Sequence, residues 1–109
     1  MKTLTLMAAL LIALGAGAVF GADAEAGKKL VTDKGCVACH GANGESPASA
    51  EYPKLAGQNA DYLVKALSDY KTGKRKNPIM ASMGAGLTTQ EIENLAAWFS
   101  IQHGLQVKY

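Results

Sequence analysis

Cys36-Val37-Ala38-Cys39-His40 constrains this chain more than any other stretch. Two thiols two residues apart, with an imidazole directly after the second, form the pattern of covalent haem attachment. Each thiol adds to a porphyrin vinyl group and the histidine sits beneath the iron. The spacing serves that chemistry because the two vinyls lie on one porphyrin edge, while the next residue must approach the metal from one face. Other uses of these residues ask for more than the sequence supplies. A redox-active pair belongs at a helix start in a strand–helix–strand setting, and no strand-like alternation precedes Lys34. Zinc wants four ligands, and beyond this motif the only other Cys or His is His103. A structural disulfide stays open on the cysteines alone.

With one such motif in 109 residues, the expectation is a single domain around one haem. Its start reads differently from the rest. Met1-Lys2-Thr3 is short and positive, Leu4 to Phe20 is almost wholly apolar, and small residues lead to the first acid, Asp23. This is the pattern of a secretory signal peptide, cut after Gly21 in preference to Ala24, which makes residues 1–21 the signal and 22–109 the haem domain. The rival is an uncleaved anchor, since the apolar run approaches the roughly 18 residues of a spanning helix. Cleavage removes Lys2 and leaves ten Lys and Arg against nine Asp and Glu, so the net charge falls from +2 to +1. Such a balance gives no nucleic-acid stripe, and after cleavage no membrane insertion is expected. Aromatics are only 6% of the residues, so a side-chain core alone is marginal at this size, and a large flat apolar cofactor supplies what is missing.

The pattern elsewhere is helical, giving an all-α expectation. Asp23 to Lys34 is amphipathic, with Ala26, Leu30 and Val31 on one side, and it ends at Gly35. Gly27 inside it is costly for a helix and points either to a close helix crossing or to fraying near a terminus. Gly41 to Gly57, with its glycines, prolines and serines, reads as a loop that wraps one face of the haem, in which Pro47 is a candidate to offer its carbonyl to His40 Nδ1. A second helix starts at Asn59 or Ala60, carries Leu63, Ala66, Leu67 and Tyr70 on one stripe, and stops at Gly73. Lys71, Lys74, Arg75 and Lys76 cluster at its end. Asn77 to Gly86 reads as another loop, whose Met80 and Met83 are candidates for the sixth ligand of iron. Thr88 and Glu91 form a capping box for a last helix with Ile92, Leu95, Ala96 and Phe99 inward, expected to cross the first near Gly27. His103, next to Gly104, is a weaker rival for the iron and reads as exposed.

A CxxCH motif, a helix at each end and a methionine segment before the last helix resemble the class I cytochromes c, and the small bacterial cytochrome c553 and c4 group in particular. The more specific marks are Asp23-Ala24-Glu25-Ala26-Gly27-Lys28, Tyr52-Pro53-Lys54-Leu55-Ala56-Gly57-Gln58, Asn77-Pro78-Ile79-Met80 and Ala96-Ala97-Trp98-Phe99. The resemblance implies the class I fold, with crossing terminal helices and loops around one covalent haem c. It also implies thioethers from Cys36 and Cys39, His40 as proximal ligand and Met80 as distal ligand, with Met83 the alternative. Cytochromes similar to c4 hold two such domains and two haems, whereas one motif stands here, so the likeness points to a monohaem, c553-like carrier. In bacteria such haem is attached outside the cytoplasm, which places the expected carrier in the periplasm.

The expected function is therefore one-electron transfer between redox proteins, and not catalysis, because two protein ligands would keep substrate and oxygen off the iron. The basic cluster near the methionine segment suits partners with an acidic docking surface. The competing class is a haem enzyme or gas-binding sensor with an open sixth position, for which no histidine accompanies an arginine near the methionines. A haem-free thiol–disulfide exchanger using Cys36 and Cys39 is the third.

Overall fold

The computed structural model describes residues 21–103, so the expected signal peptide lies outside the described residues apart from Gly21. Among the described residues every regular element is helical, and none is long and apolar enough to cross a membrane.

Helix α1 (Ala24–Asp33) begins where the Asp23 side chain accepts a hydrogen bond from the Ala26 amide. Helix α5 (Thr89–Ser100) begins at the capping box, with Thr88 and Glu91 each bonding the other's backbone amide. These two helices pack together, and Gly27 is the reason they can. A Cβ built on Gly27 would overlap the carbonyl of Asn94 and lie 3.0 Å from Trp98 Cβ, so the crossing is closer than any side chain permits. The buried Asn94 side chain ties the crossing further, its Oδ1 accepting from the Asp23 amide at 2.8 Å and from Gln90 Nε2 at 3.0 Å. Close crossing, and not fraying, explains the glycine.

A single turn, α2 (Val37–His40), follows α1, and the sequence pattern did not foreshadow it as a helix. Residues 41–59 are irregular, as the glycines and prolines indicate. They are tied down by the Gly57 amide on the Phe99 carbonyl at 2.9 Å and by Trp98 Nε1 on the Ala42 carbonyl at 3.1 Å. Helix α3 (Ala60–Thr72) starts at the Asn59 cap and stops at Gly73, which takes the left-handed conformation with φ 84°.

One expectation is corrected between Asn77 and Gly86. Pro78–Ala85 is a helix, α4, and not a loop. Asn77 Oδ1 accepts from the amides of Ile79 and Met80, and Pro78 occupies the first turn, where its missing N–H is not needed. The buried core joins Val31, Leu63, Leu87, Ile92, Leu95, Ala96 and Phe99, drawing on α1, α3, α5 and the segment after α4.

Candidate functional site

The helical turn α2 explains why its motif has the spacing it does. On a helix, residues three and four apart are neighbours on one face, so a turn from Cys36 presents both thiols and the imidazole together. The turn is closed by the amides of Cys39 and His40 on the Cys36 carbonyl, at 3.3 and 3.0 Å. Cys36, Cys39 and His40 all line one cleft of about 380 Å³, a volume within the usual range for pockets that take organic cofactors. The two cysteines are unbridged, which sets the disulfide reading aside. Burial pushes the Cys36 thiol above its ordinary pKa, the opposite of what an exchanging thiolate needs.

His40 is only 6% exposed, and its Nδ1 lies 2.9 Å from the carbonyl oxygen of Pro53. A carbonyl can only accept, so Nδ1 carries the proton and Nε2 is left as the donor atom for a metal. The proline expected in this role was Pro47. It is Pro53 that supplies the carbonyl, because the loop doubles back and brings Tyr52, Pro53, Lys54 and Leu55 onto the cleft wall. Tyr52 also sets its ring edge-on to His40, centroids 6.3 Å apart, and the adjacent Cys39 thiol pushes its phenol above the ordinary value.

The remaining walls are mostly apolar. Leu63, Ala66, Leu67 and Tyr70 of α3 face the cleft, so the stripe read as core is core around a cofactor. From α5 come Leu95, Ala96 and Phe99. Met80 and Met83 of α4 both line the cleft, but they differ in placement. Met80 is half-buried, whereas Met83 is exposed at 39% with its Cε 3.6 Å from where a Cβ on Gly35 would stand. Met83 thus lies against the segment leading into the motif. His103 is exposed and does not line the cleft.

The basic cluster is less free than its sequence implies. Lys71 Nζ donates to the carbonyls of Leu87 and Ala85. Arg75 stacks over Tyr70 at 5.0 Å and donates to the Tyr62 hydroxyl at 3.2 Å. Lys74 and Lys76 are exposed, on either side of the cleft-lining Arg75. No sequence signal short of the fold indicated the Arg75–tyrosine stack.

Two thiols on one helical turn, an oriented imidazole beside them and a thioether on a separate wall of an apolar cleft suit haem c. Helices crossing around such a cleft define a class I c-type cytochrome. The chain belongs to the cytochrome c family: the family's sequence profile matches residues 24–100, and covalently bound haem c is its cofactor. It is similar to cytochrome c4 of Pseudomonas aeruginosa, with 39% identity over 97 residues that make up 89% of this chain and 48% of that protein. It is also similar to the cytochrome subunit of sulfide dehydrogenase of Chlorobaculum tepidum, 35% identical over 100 residues, 84% of this chain and 89% of that one. Among solved structures, reduced recombinant cytochrome c4 from Pseudomonas stutzeri matches with a TM-score of 0.66 at 36% identity, covering 73% of this chain and 48% of that chain. The chain therefore spans about half the length of its cytochrome c4 relatives.

Proposed function

We propose that this chain is a periplasmic one-electron carrier and not an enzyme, with thioethers at Cys36 and Cys39 and the iron held between His40 Nε2 and the Met80 sulfur. The haem supplies a one-electron Fe(II)/Fe(III) couple when bound. The observation that carries the reading is the cleft that gathers the CxxCH turn, the oriented imidazole and a methionine helix into one apolar site. The Pro53 carbonyl fixes the His40 ring and leaves Nε2 free to hold the iron. The Met80 thioether is a soft donor that favours the reduced metal and raises the potential. If His40 and Met80 both hold the iron, no coordination site would be left for a substrate, and the mostly apolar walls would limit access of water. Electrons would pass at the cleft mouth, to and from redox proteins with an acidic docking surface. A relative named as a subunit of sulfide dehydrogenase supports a dehydrogenase as one such partner.

Met80 is favoured over Met83 because it is the more enclosed and lies two residues after Pro78, in the turn that the Asn77 cap fixes. The test is ligand access. Met80→Ala should admit cyanide or imidazole to the ferric protein and lower its potential, while Met83→Ala should leave both nearly as in the unaltered protein. The reverse pattern would move the ligand to Met83, and open access in the unaltered protein would favour the enzyme or sensor class.

A further inference from the structure

We propose that Lys71, on α3, is a positioning residue for Met80, acting through the far end of the helix that carries it. The proposal rests on the reading of Met80 as iron ligand. Helix α4 has eight residues, Pro78–Ala85, and a helix of that length is marginal by itself. Its sequence offers no pair of opposite charges one turn apart, and its last turn holds no basic residue to meet the negative end of the helix dipole. It is held by its two ends instead. At the start, Asn77 Oδ1 accepts from the amides of Ile79 and Met80, each at 3.1 Å. At the finish, the Lys71 ammonium reaches across from α3 and donates to the carbonyl of the last helical residue, Ala85, at 3.5 Å and to that of Leu87, just past the Gly86 cap, at 2.5 Å.

The cross-helix cation supplies the charge that α4 lacks. Gly84 makes the reach possible: a Cβ there would lie 3.1 Å from the Lys71 amide nitrogen and 3.3 Å from Tyr70 Cβ, so the two helices touch nearly backbone to backbone. Met80 sits in the first turn of α4, one turn from Gly84, and the short helix moves as one piece. Releasing its C-terminal end would let the whole helix, and the thioether with it, lift from the cleft. Lys71 is exposed, yet its ammonium is thereby assigned to the ligand helix.

The rate at which excess imidazole displaces the methionine from the ferric protein reads this directly, since displacement waits on opening. Lys71→Met keeps the alkyl stem and removes the donor, and it should speed displacement about tenfold, in line with the loss of one charge-assisted hydrogen bond. Lys71→Arg can still donate to the carbonyls and should return the rate close to native. Lys65→Met removes the same charge from the same helix, together with an exposed ion pair to Asp69 at 2.8 Å, and should leave the rate unchanged. A native rate in Lys71→Met, or an equal rise in Lys65→Met, would overturn the proposal. The ligand reading is judged separately. If the unaltered ferric protein lacks the sulfur-to-iron charge-transfer band, that reading fails, and a present band with an unmoved rate refutes Lys71 alone.

Discussion

Gly27 and Asn94 approach so closely that a Cβ on the glycine would overlap the asparagine's carbonyl oxygen. This contact sets the α1–α5 crossing, and the crossing sets the position of the α5 residues Leu95, Ala96 and Phe99 on the cleft wall. Gly27→Ala must push the helices apart. Backbone is the obstacle, so no side chain can swing aside. The expected cost is about 2–3 kcal/mol, seen as a fall in Tm of roughly 10–20 °C for a domain of this size. Gly73→Ala is the comparison, because no atom lies within 4 Å and only its left-handed backbone objects, at about 1–2 kcal/mol. Equal losses in the two variants, measured by thermal unfolding, would contradict the crossing as the more demanding site.

Acid should weaken the domain through Glu91. The Thr88 amide, 2.9 Å away, and then Lys34, at 3.7 Å, hold its carboxyl below the ordinary value. A group whose folded pKa is lowered stabilises fully above its unfolded pKa, about 4.3 for Glu, and loses that contribution as pH falls through the folded value. Glu91→Gln can keep the capping hydrogen bond but has no charge to lose. Its stability should therefore change less between about pH 6 and about pH 3 than that of the unaltered protein. Parallel stability curves for the two proteins would remove Glu91 from the acid response.

The docking surface reduces to fewer cations than the sequence displays. All four cations of the cluster are exposed, but Lys71 is engaged with backbone carbonyls and Arg75 with tyrosines, which makes Lys74 and Lys76 the pair to test near the cleft. Lys74→Glu with Lys76→Glu should slow electron transfer to an acidic blue-copper protein used as probe. The slowing should fade as salt shortens the screening length, about 10 Å at 0.1 M. Equal rates and equal salt slopes would make the pair ordinary surface.

Much of this arrangement was legible before the fold. The Thr88 capping box, the helix starts near Asp23 and Asn59, the stop at Gly73, the stripes of α3 and α5, and the crossing at Gly27 all rest on local patterns that the tertiary structure keeps. The CxxCH motif was legible because its chemistry fixes its spacing. Other features were not. Pro47 and Pro53 look alike in sequence, and which carbonyl meets His40 depends on how the loop folds back over many residues. In the sequence, helix α4 looks like a loop because Pro-Ile-Met-Ala-Ser-Met-Gly-Ala has no polar face to give a helical period. Within it Gly84 alone is buried, and Ile79 and Met83 stay exposed although apolar, so burial does not follow an apolar–polar pattern here; the Asn-Pro start signal was the cue to its helicity. The hidden roles of Lys71 and Arg75 have the same origin, since a cation's partners across the fold leave no local mark.

The central claim, that side chains fill both axial positions of the iron, is tested most directly by carbon monoxide. This gas binds ferrous haem only where a coordination position is open. The absorption spectrum of the dithionite-reduced, haem-bearing protein should be unchanged after saturation with carbon monoxide at neutral pH. A shift to the spectrum of a carbon monoxide complex would show an open sixth position and contradict the electron-carrier account.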